Sequence, residues 1–147
     1  MKRQVFVIIT TLSLLVAQSA AAVNAQSDLR LKANIPFAFS VGDKVLPAGE
    51  YIVSFVGGEA LRIQRVDGSE AQCFFTIYTR GNKRRNESSL VFNRYGDQYF
   101  LSTIWTAGED AGLQLKKPHV ERELIRARSA VTRISTGPQT VSVVPHL

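Results

Sequence analysis

The chain has 147 residues and a formal charge of +6, from 18 Lys and Arg against 12 Asp and Glu. This length allows one domain with a hydrophobic core, and so moderate a charge does not by itself identify a polyanionic partner. Cys73 is the single cysteine, which excludes a disulfide within the chain. Its setting in an apolar strand predicts a small buried hydrophobic side chain rather than a reactive thiol.

Residues 1–25 have the pattern of a cleavable secretory signal. Lys2 and Arg3 precede a nearly apolar stretch over residues 5–17, and small residues up to Ala25 fit the small-x-small rule for signal peptidase. The apolar stretch is shorter than the roughly 20 residues of a transmembrane helix. The pattern predicts export to the periplasm or the extracellular medium, with no transmembrane segment after cleavage. An uncleaved anchor is the alternative.

The clearest structural signal after the predicted signal peptide is an alternation of apolar and other residues over residues 29–41. Period two is typical of a half-buried strand, because successive side chains point to opposite faces. Pro36 cannot donate to a ladder, so it predicts an edge position or a bulge. The apolar positions that share one face are Leu29, Leu31, Ala33, Ile35, Phe37, Phe39 and Val41.

Short strands with turn residues between them follow. The pattern predicts strands over residues 44–46, 50–56, 59–65 and 70–80, with Gly57-Gly58 as a hairpin turn. In the last of these strands, Ala71, Cys73, Phe75 and Ile77 are predicted to face the core.

The turn before residue 70 sets the register of that strand. A two-residue turn at Asp67-Gly68 would pair Ile63 with Gln72 and turn Cys73 and Phe75 to the polar face. A three-residue loop pairs Ile63 with Ala71 and keeps the larger apolar set inside, so we expect the three-residue loop.

A further pair of strands is predicted over residues 88–95 and 98–107, joined by Gly96-Asp97. A two-residue turn there sets Phe92 opposite Leu101 and Arg94 opposite Tyr99. The second strand is apolar on both faces, which predicts a central position or a helix over its second face.

One helix is predicted over residues 118–133. Pro118 suits a first turn, and acidic residues precede basic ones as the helix dipole favours. A stripe at spacings of four, three and four is expected to dock on the sheet. It consists of Val120, Leu124, Ala127 and Val131.

The predicted architecture is therefore all-β: an antiparallel meander of six to seven strands, forming a sandwich or small barrel, with one C-terminal amphipathic helix. The predicted organisation is a signal peptide over residues 1–25, one domain over residues 26–134 and a mobile tail over residues 135–147. Within the tail, residues 140–144 could add a late strand.

Several segments in series resemble a group of short exported bacterial proteins of unknown function that is abundant in soil bacteria. The resemblance covers about residues 33–127 and implies export, but it implies no activity. The segments are Ile35-Pro36-Phe37-Ala38-Phe39, Leu46-Pro47-Ala48-Gly49-Glu50-Tyr51, the run from Leu90 to Leu101 that contains Arg94-Tyr95-Gly96-Asp97, and Glu121-Arg122-Glu123-Leu124.

The chain shows no recognisable catalytic, metal or cofactor motif. His119 and His146 have no metal-ligand spacing with Cys73, and neither accompanies a nucleophile turn. Glu109-Asp110 is a carboxylate pair in a Gly-flanked loop, where solvated acids are usual. We therefore predict a non-enzymatic protein with no cofactor and no metal.

The strongest local feature is a basic loop made of Arg80, Lys83, Arg84 and Arg85. One interpretation is a solvated hairpin tip that protects a sheet edge. The other is contact with an anionic envelope surface or an acidic polysaccharide. Nucleic acid is not expected, because export removes that partner.

Aromatic residues provide a second candidate site. Exposed on one sheet face, they could stack against sugars; otherwise they belong to the core. The four residues are Tyr51, Tyr95, Tyr99 and Trp105.

Together these features predict an exported envelope or extracellular module that binds or scaffolds through its surface. A carrier of a small hydrophobic ligand, with an apolar interior, is the alternative. A hydrolase is a remote one.

Overall fold

The computed structural model describes residues 29–131 and 138–146, and it is mostly β-structure with one helix. The predicted signal peptide lies outside the described residues. No helix in the described part is long and apolar enough to cross a membrane. In chain order the elements are β1 (Arg30–Ile35), β2 (Phe39–Val41), β3 (Lys44–Leu46), β4 (Gly49–Gly57), β5 (Ala60–Arg65), β6 (Ala71–Arg80), β7 (Ser89–Tyr95), β8 (Gln98–Trp105), β9 (Ala111–Leu115), α1 (His119–Val131) and β10 (Gln139–Val143).

The strands form an open mixed sheet, in the order β1-β4-β5-β6-β9-β8-β2-β3, with β7 paired to β8 and β10 paired to β7. The all-β class with a C-terminal helix is confirmed. The expected count of six to seven strands is too low, since the described residues contain ten. The purely antiparallel meander is also wrong, because β2 pairs with β8 in parallel, Ser40 beside Phe100.

The alternation over residues 29–41 identifies the core face correctly. Five of its seven apolar residues are buried in the core cluster, and Leu29 and Phe37 pack against that cluster. The predicted single strand is interrupted, however, and β1 ends at Ile35 while β2 begins at Phe39. Pro36, which lacks a backbone N–H, lies in the break. Phe39 then contacts both Tyr51 of β4 and Phe92 of β7 edge to face, so the two halves of the sheet share one core.

The register of β6 differs from the prediction. Ile63 pairs with Gln72 and Leu61 with Phe74, so Phe74 and Thr76 are the buried side chains of β6. The loop has four residues, 66–69: the Arg65 N–H donates to the Glu70 carbonyl, and the Gly68 N–H donates to the Arg65 carbonyl. A four-residue loop gives the same side-chain parity as a two-residue turn. The expected core positions Cys73, Phe75 and Ile77, together with Ala71, therefore lie on the exposed face.

The β7–β8 hairpin follows the predicted two-residue turn, with Arg94 opposite Tyr99 and Phe92 opposite Leu101. Beyond that point the ladder passes to Val91 opposite Thr103, so Ser102 has no partner in the ladder. This bulge reverses the parity of β8. Leu101 and Ile104 consequently share the core face, and Thr103 and Trp105 lie on the opposite face, which we call the outer face.

Helix α1 packs on the outer face at β7, where Glu121 contacts Asn93 and Tyr95, and it does not pack through the predicted stripe. β8 itself is central in the sheet, which is one of the two expected arrangements. Val120 is 51% exposed, Ala127 is exposed, Leu124 is half-buried, and the side chain of Val131 lies outside the described part. The residue that faces the sheet is Glu121, which is 2% exposed. The stripe was wrong because the outer face of β7 presents hydrogen-bond donors, which a carboxylate satisfies and Val120 cannot.

The predicted tail contains a strand. β10 pairs antiparallel with β7, with Val141 opposite Phe92, so the late strand is confirmed. The rest of the predicted tail up to residue 137 lies outside the described residues. After β10, the His146 N–H donates to the Lys32 carbonyl (2.8 Å), which places this end of the chain beside β1.

Candidate surface-binding site

The basic loop connects β6 to β7, and its four cationic side chains are all exposed. It leaves β6 at Gly81, whose N–H donates to the Asp110 carbonyl (2.7 Å). The Arg85 N–H then donates to the Glu109 carbonyl (3.0 Å), and the Arg85 carbonyl accepts from Gly108 (2.8 Å). Three backbone hydrogen bonds therefore fix the loop against the turn between β8 and β9.

The indole ring of Trp105 packs against the backbone of this loop and of β9. A Cβ placed on Gly112 would lie 2.8 Å from the indole ring, and one on Gly81 would lie 3.1 Å from it. The ring is therefore in direct contact with the backbone of both glycines. The Arg85 guanidinium carbon lies 4.4 Å from the ring centroid, within the range of a cation–π contact. The contact holds Arg85 in one place while its charge remains exposed.

Acidic residues adjoin the loop and reduce its net charge. Glu87, Glu109 and Asp110 are exposed in the two segments that the backbone bonds join. The four cations thus stand beside three carboxylates, and any electrostatic attraction to an anionic surface depends on which side chains reach it. Local charge alone does not make this site.

The outer face of β6 is the largest departure from the expected burial. Phe75 is 77% exposed and Ile77 is 61% exposed, and Cys73 on the same face of β6 is exposed as well. The pairing connects this strip to the loop, because Thr79 is opposite Gly112 and Gly112 is opposite Trp105. Residues paired in this way share a face. Apolar side chains and the Arg85–Trp105 contact therefore lie on one continuous surface.

The four residues of the aromatic hypothesis do not share a surface. Tyr51 is fully buried in the core, where its hydroxyl donates to the Pro47 carbonyl (2.7 Å) and burial raises its pKa. Tyr95 is buried beneath α1. Tyr99 stacks on Phe37 at 3.9 Å and packs against the core, and Trp105 is covered by Arg85.

A buried polar cluster under α1 was not anticipated from the sequence. The Glu121 carboxylate oxygen Oε1 accepts from Asn93 Nδ2 (2.8 Å) and from the Tyr95 hydroxyl (3.1 Å), and Arg128 lies over the Tyr95 ring. Burial and the neighbouring Glu121 raise the pKa of Tyr95 well above its usual value. All three polar groups are hydrogen-bonded, which identifies a structural joint between helix and sheet. The only available signal in the sequence was an acidic residue, Glu121, in the first turn of an amphipathic helix.

The remaining polar candidates are separated. His119 lies 3.6 Å from Glu123 on the exposed side of α1, and His146 lies 3.3 Å from Glu50, beside β1. Lys32 also contacts Glu50 (3.0 Å), and both partners lower the pKa of this carboxyl. Among residues 29–131 and 138–146, no three His, Cys, Asp or Glu side chains are grouped so as to hold a metal ion.

Comparison with known proteins finds no matching family model, no matching curated protein and no matching solved structure. The class defined by fold and surface is therefore a mostly β chain with one helix, an open mixed sheet and an exposed apolar strip beside a cationic loop.

Proposed function

We propose that this protein is an exported, non-enzymatic module that binds the anionic phospholipid surface of the cell envelope through the outer face of β6 and the basic loop. The proposal includes the finer architecture, in which the two halves of the bent sheet pack as a sandwich. The observation that carries it is the exposure of Phe75 (77%) and Ile77 (61%) on the surface that also presents Arg85.

Apolar and cationic groups together suit a lipid interface better than either suits it alone. Exposed aromatic and aliphatic side chains gain free energy by entering the headgroup region. Each Lys or Arg near an anionic leaflet contributes about 1 kcal/mol. Because Glu87, Glu109 and Asp110 offset part of the charge, the cations would bind weakly by themselves. Phe75 and Ile77 supply the remaining attraction.

The test is co-sedimentation of the exported form with vesicles. Vesicles that contain about one third phosphatidylserine or phosphatidylglycerol should bind the protein, and phosphatidylcholine vesicles should not. The double variant F75S/I77S should reduce the bound fraction by roughly tenfold, because it removes two inserted side chains. Neutralising Arg80, Lys83, Arg84 and Arg85 to Gln should abolish the preference for anionic lipid.

Two controls make the result decisive. The matched variant V45S/V66S changes two other exposed apolar residues, neither of which is on the outer face of β6, and should leave binding unchanged. Binding to an acidic polysaccharide that is insensitive to F75S/I77S would reject the lipid surface and favour the glycan. Equal binding to neutral and anionic vesicles would remove the basic loop from the site.

A further inference from the structure

The second half of β6 has an open backbone edge. β5 begins at Ala60, which lies opposite Phe75. The last hydrogen bond on this side of β6 runs from the Thr76 N–H to the carbonyl of Glu59, the residue before β5 (3.1 Å). From Ile77 to Arg80, in the described part of the chain, β6 is paired with β9 alone. Among residues 29–131 and 138–146, no strand lies beside the other side of this segment.

The hydrogen-bond alternation shows which groups face that side. The Thr76 N–H points to β5, whereas the Gly81 N–H points to β9 through Asp110. Backbone groups of successive residues alternate between the two edges of a strand. The N–H and C=O groups of Tyr78 and Arg80 therefore point away from β9, toward the open edge.

This edge differs from the other unpaired stretch of β6. On the β9 side of residues 71–75, Lys44 Nζ donates to the Ala71 carbonyl (3.4 Å) and pairs with Glu70 (2.8 Å), and Gln72 Nε2 donates to the Cys73 carbonyl (3.1 Å). Charged and polar side chains of this kind block further strand pairing. The open edge at Tyr78 carries large exposed side chains instead of blocking polar ones: Tyr78 itself is 70% exposed and Ile77 is 61% exposed.

We propose that this edge pairs with the same edge of a second copy of the chain, in antiparallel fashion about a twofold axis at Thr79. In that register Tyr78 lies opposite Arg80 of the second copy. The two residues exchange both of their backbone hydrogen bonds, and the symmetry-related pair does the same, so the interface has four backbone hydrogen bonds. Arg80 also comes beside the Tyr78 ring of the other copy, a favourable cation–π pair.

Charge complementarity favours a second copy of the chain as the partner of this open edge. The open segment has the exposed Glu59 at one end and the basic loop at the other. Antiparallel self-pairing sets the basic loop of each copy against Glu59 of the other, so opposite charges meet at both ends. This self-pairing does not depend on the proposed binding of lipid. The twofold axis that relates the two copies is perpendicular to the sheet. Both outer faces of β6 would consequently point in the same direction.

The first experiment measures association of the exported form by analytical ultracentrifugation from micromolar to near-millimolar concentration. Wild-type protein should form a concentration-dependent dimer. Tyr78→Pro removes an N–H that the β9 ladder does not use, so the fold should persist, and the dimer Kd should rise by roughly tenfold or more. Tyr78→Ala retains the N–H and should weaken the dimer less.

A second experiment does not depend on proline. In a Cys73→Ser background, Thr79→Cys places two thiols at the axis, where paired Cα atoms are about 4.5 Å apart and a disulfide can form. We expect a covalent dimer under mild oxidation, and none for the matched variant Ser69→Cys at an exposed loop tip. A monomer at every concentration, with equal cross-linking at positions 79 and 69, would overturn the proposal. Vesicle binding by such a monomer would leave the proposed function standing.

Discussion

The outer surface of the sheet has two regions, one covered by the helix and one exposed to solvent. Over β7, α1 covers the outer face and satisfies Asn93 and Tyr95 through Glu121, and Phe100 of β8 is buried against the Tyr95 ring. Over β6, Phe75 and Ile77 remain exposed on the same side of the sheet. The covered region resembles a second small core, and the bare region offers similar side chains to a partner. Hydrophobicity alone does not distinguish them, because what differs is whether the chain supplies a cover.

The largest expected effect compares one phenylalanine from each region. Phe100→Ala removes a ring that is 2% exposed and should lower the free energy of unfolding by about 3–5 kcal/mol. Phe75→Ala should change it by no more than about 0.5 kcal/mol. Urea unfolding followed by circular dichroism measures both. Similar losses for the two variants would show that Phe75 packs in solution.

The second prediction concerns the polar joint of the covered region. Glu121→Ala leaves the Asn93 amide and the Tyr95 hydroxyl buried without an acceptor, at a cost of about 2–3 kcal/mol of unfolding free energy. Glu121→Gln retains an oxygen acceptor and should lose less than half as much. If the two variants are equally stable, the hydrogen bonds to Glu121 do not hold α1 on the sheet.

A third prediction probes the contact between β6, the basic loop and Trp105. Gly112→Ala places a methyl group 2.8 Å from the indole ring, so the ring must move, at about 1–3 kcal/mol. Trp fluorescence should shift to the red as the indole leaves its site beneath Arg85. In a Trp105→Leu background the same alanine should cost less, which isolates the contribution of the clash. An unchanged spectrum for Gly112→Ala alone would contradict the described packing.

The smallest effect is expected outside both regions, at Glu50. Lys32 and His146 lower the pKa of Glu50 from its ordinary value of 4.5. A lowered carboxyl pKa in the folded state gives stability that is present above the unfolded value and is lost as pH falls through the folded value. The stability difference between wild type and Glu50→Gln should therefore be small but present at neutral pH, and it should disappear as the carboxyl is protonated on acidification. A difference that grows on acidification would contradict the lowered pKa of Glu50.

Sequence patterns predicted the core more successfully than the surface. The alternation from Leu29 to Val41 identified its face correctly because burial requires it, and the Gly96-Asp97 turn set Arg94 opposite Tyr99 as expected. The pattern failed on β6, where both faces carry apolar residues and the four-residue loop decides between them. Choosing the more apolar face assumed that such side chains are always buried.

The features of the candidate site that sequence patterns missed are those that depend on distant contacts. The basic loop could be recognised from its charges, but the position of Arg85 over Trp105 depends on a bulge at Ser102 that leaves no pattern. Glu121 could not be identified as a buried residue without knowing that Asn93 and Tyr95 lie beneath α1. Long-range partners of polar groups are set by the tertiary fold, and local periodicity contains no record of them.

The continuity of β6 has a consequence for how the chain folds. Its first five residues pair with β5 across a short loop, whereas its last five pair with β9, more than thirty residues later. Closing the short loop costs less entropy, so we expect the β5–β6 hairpin to form early and β9 to join late. Because one uninterrupted strand belongs to both ladders, the two halves should lose structure together in a single cooperative transition.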